Sequence, residues 1–308
     1  VTCQVSIYKI LDFWAEIIFT FSQCQLTQEE DKLVAMSGIA KVVQKNLLND
    51  QYLAGLWRQA LDINLLWYIE NPKYPNGELS RRPKQYRAPS WSWTSVDGQV
   101  IMPSHAGYTS GPPEIEILEA VTEPLSLDPT GQVKRAFIRL LGPLMTFTMR
   151  WTGDRGAYKS GYKAKANGEC NDNPILCMDV DEPYQNLYCM PIKWCLIFEN
   201  SDDKHFLDCL LLQPTALKKG QFTRLGWIRL DWKKHKIHQW NDILRTKNGL
   251  NSKNPMRTAS TQLGSFKLNS WIDLPRNLRY HLNSQRMAPQ PLSLGPTRLT
   301  PTVWGRKV

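Results

Sequence analysis

The stretch "YRAPSWSWTSVDGQV" runs from Tyr86 to Val100 and sets two tryptophans among hydroxyl residues, with a proline before them and an Asp-Gly pair after. In an extended chain, residues two apart share a face. Trp91, Trp93 and Ser95 then point one way, and Ser90, Ser92 and Thr94 the other. Asp97-Gly98 is a hairpin signal, because both central residues of a type I′ turn need positive φ. The pattern predicts a strand over 90–96 that turns at Asp97-Gly98 and returns through 99–102. Pro89 confines Ala88 to extended conformations at the strand entrance. The two indoles are expected to be buried, anchoring the sheet against helices, and each N–H needs a partner. Two sharper readings compete with this one. An aromatic pair can form a platform for a base or a sugar. A serine here can be a nucleophile, but no Gly-x-Ser-x-Gly elbow surrounds Ser90 or Ser92.

Upstream of this stretch the chain reads as helical. Residues 7–21 are apolar at helical spacing. Thr27-Gln28-Glu29-Glu30 fits a capping box, with Asp31 adding negative charge at the positive helix end. Leu33, Met36, Ala40, Val43 and Leu47 then recur at steps of three or four, one buried stripe. A third helix is expected over 53–69, ended by Asn71-Pro72.

Downstream of Pro75-Asn76-Gly77 the punctuation becomes Gly- and Pro-rich, and β-branched and aromatic residues fall in short runs. Strands are expected at 114–121, 134–141, 146–151, 187–199, 205–212 and 222–230. Residues 154–172, rich in Gly and Lys, read as a long exposed loop. From Asn248 on, "RMAPQPLSLGPTRLTPT" and its surroundings have too little apolar content to offset the entropy of ordering. Within that tail only residues 266–280 have enough apolar content to dock. The expected class is α+β: a helical segment (1–75), an antiparallel β-rich sandwich or open barrel (76–247), and a disordered basic, Pro-rich tail (248–308).

The chain has 308 residues, 42% of them hydrophobic and 21% charged, the balance of a globular protein. Its formal charge of +10 is unevenly spread. From Lys218 to Val308 there are 18 Lys and Arg against three acids, Asp231, Asp242 and Asp273. The first 217 residues carry 20 basic and 25 acidic side chains. Attraction to nucleic acid is therefore confined to the last third. Seven cysteines without a CxxC pair, no glycosylation sequon and no signal peptide point to an intracellular, cytoplasmic setting in which the thiols stay reduced. The apolar run at 10–21 contains Asp12 and Glu16 and is too short to span a bilayer. The first residue is Val1 rather than Met, as in a fragment of a longer chain.

Several segments together resemble fungal heterokaryon-incompatibility (HET) proteins, in the part that follows their conserved domain. "YRAPSWSWTSVDG" resembles the signature of that region, through Arg87, Pro89, Ser90, Trp91, Trp93, Asp97 and Gly98. "FSQCQLTQEEDKLVAMSGIAK" resembles an upstream segment, through Leu26, Thr27, Asp31 and Lys32. "YLAGLWRQALDINLLW" resembles a third, through Gly55, Leu56 and Trp57. "LYCMPI" and "LLLQPT…FTRLGWIRL" resemble late strands. The resemblance covers roughly residues 14–230. Phe21 and Gln23 stand where that family usually has Tyr and often has Arg. The two motifs of the HET domain itself, Ser-Tyr-x-Trp-Gly and Trp-Ile-Asp-x-x-Cys-Ile, do not occur here. The resemblance implies a role in non-self recognition and incompatibility-linked cell death, with a protein partner, and carries over no catalytic residue.

Other chemistry is weakly represented. Glu114 and Glu116 alternate on one strand face and are expected to be solvated rather than a glycosidase pair. His235 and His238 have helical metal spacing, without a cluster to complete a site. "SGIAK" lacks Walker spacing. Trp227, Trp232 and Trp240 among basic residues could track nucleic acid by stacking. The expectation is an interaction module with no catalytic, cofactor or metal residues; the alternative is a nucleic-acid-binding module using the basic last third.

Overall fold

A computed structural model of the chain describes residues 6–69, 80–105, 108, 113–155, 160–166, 169–171, 174–180, 187–199, 202–215, 218–232 and 265–269. All of them fall in one compact unit, Val1–Trp271; a second unit, Ile272–Val308, lies outside the described residues.

Helix α1 (Ile7–Ser22) buries Leu11, Trp14 and Ile18 along one side. Helix α2 (Lys32–Asn46) buries the expected stripe of Leu33, Met36, Ala40 and Val43, continued by Leu47 just beyond it. The capping box does not form. Residues Glu29–Asp31 make a turn of 3₁₀ helix, Asp31 precedes α2, and neither helical start has a side-chain cap bond. Backbone i→i+3 bonding within that acidic turn takes the place of the expected Thr27 cap.

The third helix is also replaced. Tyr52–Leu53 (β1) and Leu56–Trp57 (β2) form a hairpin, with Tyr52 opposite Trp57 and Leu53 opposite Leu56. Its two-residue loop, Ala54-Gly55, has φ of +47° and +97°, as a type I′ turn requires. A 3₁₀ turn (Arg58–Ala60), the short helix α3 (Leu61–Asn64) and β3 (Tyr68–Ile69) follow. The apolar residues that suggested one helix are nearly all buried, so no amphipathic period survives to hold a single helix against a surface.

The expected hairpin at 90–102 is absent. Residues Trp93–Ser95 form a 3₁₀ turn, with Ser92 as its N-cap accepting from the Thr94 amide. Val100–Ile101 (β4) pairs with β3 instead. Asp97 exchanges backbone bonds with Arg81 rather than sitting in a hairpin loop. Hydroxyl side chains that bond the nearby backbone compete with a strand ladder, and here they win.

The remaining strands are β5 (Glu116–Pro124), β6 (Val133–Leu141), β7 (Met145–Arg155), β8 (Ser160–Ala166), β9 (Glu169–Asn171), β10 (Ile175–Met178), β11 (Leu187–Glu199), β12 (Asp202–Pro214), β13 (Gln221–Trp232) and β14 (Ser265–Asn269). They form one sheet in the order β5-β6-β14-β13-β12-β11-β7-β8-β9, with β10 also on β13. Every pair is antiparallel except β13–β14. The α+β class is thus as expected. Strands β8 and β9 occupy much of the stretch expected to be a loop, because Tyr162 and its neighbours pair along β7. Strand β14 falls in the apolar part of the tail; the other described residues end at Trp232.

Alternation along the long strands divides the core. Leu210 and Leu212 of β12, with Met190 and Ile192 of β11, face the helices. Leu207, Cys209 and Leu211, with Leu187 and Cys189, form a second cluster made of sheet residues alone. Gly226 permits β13 to pair closely with β10: a Cβ there would overlap the Cys177 carbonyl of β10.

Candidate functional site

The residues carrying the family resemblance come from three stretches far apart in sequence, and most of them meet at one buried junction. The Ala54-Gly55 turn presents two carbonyls inward. Gly55 O accepts from Trp93 Nε1 at 3.0 Å and from Trp14 Nε1 at 3.2 Å. Ala54 O accepts from Ser92 Oγ at 2.6 Å. On the other side of the segment, Arg87 donates to the Thr94 carbonyl at 2.6 Å, to the Glu29 carbonyl at 2.9 Å and to Asp97 Oδ1 at 2.7 Å. Lys32 donates to the Val96 carbonyl at 2.7 Å, and its Nζ lies 5.3 Å from the Trp93 ring centroid. Burial, with the positive charge of Arg87 nearby, pulls the Lys32 pKa down to about 7 against the opposing pull of Asp97.

A second set of bonds fastens this segment to the sheet. The Arg224 amide of β13 donates to Ser90 Oγ at 3.1 Å. Its guanidinium, fully buried, donates to both oxygens of Asp179 at 2.6 and 2.7 Å and to the Trp67 carbonyl, and stacks on the Trp67 ring at 3.5 Å. Trp67 Nε1 in turn donates to the Trp91 carbonyl at 2.8 Å. Arg82 adds bonds to Asp179, Ser95 Oγ and the Arg224 carbonyl. Burial lowers the Arg224 pKa to about 10, which Asp179 partly opposes. The charges of Arg224 and Asp179 are thus paired inside the protein, while Arg224 Nε has no hydrogen-bond partner among the described residues.

Lys32, Gly55, Arg87, Ser90, Trp91, Trp93 and Asp97 therefore belong to one bonded unit. Leu56, Trp57 and Pro89 are buried beside it, and Gly98 is buried at its end. Leu26 is half-buried and Thr27 exposed. Both tryptophans of the motif are fully buried, as expected, although not through a strand. The platform reading fails on that burial. Only Trp93 finds a partner for its indole N–H; Trp91 Nε1 has none among the described residues. The sequence offered no signal for Arg82 and Asp179, and Arg224 entered only as part of the quoted stretch "FTRLGWIRL" with no role assigned to it. Nothing local marks an arginine in a strand as buried.

A separate polar group lies at the start of α1. Asp12 Oδ1 accepts from the His105 amide at 3.0 Å and from Ser104 Oγ at 3.2 Å, and lies 3.3 Å from His105 Nδ1. Ser104 and His105 thus address one carboxylate rather than each other, so this is not a nucleophile–base pair. His105 Nε2 lies 3.5 Å from Asn64 Nδ2, and Lys193 pairs with Asp62 at 3.3 Å nearby. Burial holds the His105 pKa below its usual value. Tyr108 donates to Asp208, which Arg229 also engages with two bonds of 2.7 Å. Glu114 is half-buried, not solvated: it accepts from Trp194 Nε1 at 2.8 Å, and burial raises its pKa. Glu116 is exposed, so the two carboxylates do not form a matched pair. Among the described residues no group of three or more His, Cys, Asp or Glu could hold a metal, and no helix is long and apolar enough to cross a membrane. His235, His238 and Trp240 lie outside the described residues.

Comparison with protein-family models, with curated proteins and with solved structures returns no match for this chain. Among the described residues, fold and site define an α+β protein with a buried, extensively bonded internal junction.

Proposed function

We propose that this chain is the C-terminal regulatory or interaction portion of a heterokaryon-incompatibility protein, acting in non-self recognition and incompatibility-linked cell death inside the cell. The supporting observation is the junction. Residues that carry the resemblance, from three distant stretches, bond to one another around Gly55 and Trp93. Motifs that pack together as a unit form a scaffold, and a scaffold whose charged groups are paired internally presents a shape for binding rather than a reaction centre. In this reading the chain binds a protein partner and does not catalyse. The test is expression of the chain, joined to its upstream coding sequence, in a filamentous fungal host. Growth arrest that is lost with Trp93→Ala, at equal protein level, supports the reading; growth indistinguishable from the empty vector overturns it.

The nucleic-acid alternative gains no specific support. Two arginines of the basic third, Arg224 and Arg229, are held by Asp179 and Asp208 and are not available to phosphates.

A further inference from the structure

Helix α2 carries apolar residues on both sides, with Lys41, Lys45 and Asn46 also exposed on the outer one. One side is the buried stripe of Leu33, Met36, Ala40 and Val43. The other exposes Val34, Ala35, Gly38, Ile39 and Val42 in successive turns. Exposed apolar side chains on successive turns of one helix form a contiguous patch. The exposed side continues beyond the helix. Asp128 accepts from Ser37 at 2.8 Å and from Lys41 at 2.7 Å, which fixes its loop along one flank of α2. Its neighbour Leu127 is entirely exposed, and Leu48, just past the end of the helix, is 80% exposed. Apolar groups from two elements thus border one surface, the kind that marks an interaction site.

Gly38 stands in the middle of it. A glycine within a helix is less favourable than alanine. Among the described residues nothing requires it: a Cβ at Gly38 would meet no atom within 4 Å. A backbone approaching closely from outside would require it.

The charges indicate what approaches. Glu30 and Asp31 lie at the N-terminal end of this face, and Lys41 and Lys45 at the C-terminal end. Lys41 is occupied by Asp128. Among the described residues Glu30, Asp31 and Lys45 have no ion pair, and Asp31 Oδ1 accepts only a long bond of 3.4 Å from Gln132 Nε2. We propose that the outer face of α2 binds the same face of a second copy, antiparallel, about a two-fold axis at Gly38. That axis sets Val34 on Val42 of the second copy and brings Asp31 to Lys45 of the second copy. The pattern is self-complementary, as a two-fold interface must be. A parallel pair would oppose Lys45 to Lys45. Gly38 against Gly38 lets the two backbones approach closely. The surface is small for a permanent dimer, so association is concentration-dependent. Such a dimer does not depend on the proposed cellular role.

The test is sedimentation equilibrium of the purified full chain over a range of concentrations. A monomer–dimer equilibrium is expected, weakened about tenfold or more by Val42→Glu and by Gly38→Leu. Both side chains enter open space in the monomer, so circular dichroism and the melting midpoint should show a folded chain. Lys45→Glu should weaken the dimer, and adding Asp31→Lys should recover part of the loss. A chain that stays monomeric at every concentration overturns the proposal. So does a dimer indifferent to Val42→Glu and Gly38→Leu. A monomer that co-sediments with anionic phospholipid vesicles, and loses this with Val42→Glu, overturns it in favour of a lipid surface.

Discussion

Trp93 donates its indole N–H to the carbonyl of Gly55 at 3.0 Å, and the same indole fills the space a Cβ on Gly55 would occupy. The glycine is therefore required twice, by its φ of +97° and by its neighbour. A β-branched or even a methyl side chain there would push the tryptophan away from the bond that orients it.

Gly55→Ala should destabilise the chain by about 2–4 kcal/mol, combining left-handed backbone strain with overpacking. Trp93→Ala should cost about 3–5 kcal/mol through the lost burial and the cavity left behind. Urea unfolding followed by tryptophan fluorescence measures both. A change below about 0.5 kcal/mol for either, the range of ordinary surface substitutions, would mean the junction is not part of the folding core.

The Arg224–Asp179 pair is completely buried. Asp179→Ala leaves an uncompensated charge and should cost about 3–5 kcal/mol. Replacing both, by Arg224→Met with Asp179→Leu, removes the charge as well as its partner and should cost less than Asp179→Ala alone. Thermal melts of the two variants decide the order. If the double variant melts lower, the stacking and carbonyl bonds of Arg224 outweigh its ion pair.

Lys32 makes stability depend on pH. Its pKa falls from 10.5 to about 7 on folding. Between those values the unfolded chain holds a proton that the folded chain does not. Stability from this group is then fully present above 10.5 and is lost as pH falls towards 7. Relative to Lys32→Met, the unaltered chain should gain in melting midpoint as pH rises from 7 to 10.5. A constant difference between the two across that window contradicts the burial argument.

His105 acts in the same sense at lower pH. Burial depresses its pKa below the usual 6.5, so its contribution is present above 6.5 and declines as the pH drops below it. His105→Gln should flatten the acid side of the stability profile. A profile unchanged by the substitution would assign acid sensitivity to the carboxylates.

The periodic elements were the legible ones. α1, the buried stripe of α2 and the run at β11 lie where spacing and composition put them. Longer strands such as β12 and β13 extend a few residues past their expected ends, because pairing continues along a partner after the apolar pattern stops. Besides the missing Thr27 cap, the strands within 160–171 and the half-buried Glu114, the failures lie in 52–69 and 90–102. There nearly every side chain is buried, so neither a helical nor a strand period has a polar side to reveal it. Trp91 and Trp93 show the difference. Their burial followed from size and apolarity, but their backbone conformation was decided by Ser92 bonding Thr94 and Ala54.

By itself the sequence determined which residues avoid water, the α+β class, and the uneven charge. These depend on composition and short-range spacing, which a linear chain already contains. Only the tertiary structure decided that Gly55, Lys32, Arg87 and Trp93 share one junction, that Arg224 is neutralised by Asp179, and that α2 leaves an apolar side uncovered. Each of those depends on distances between residues remote in the chain. Burial, charge pairing and close approach are properties of a place, and that place exists only once the hairpin, the helices and the sheet have come together.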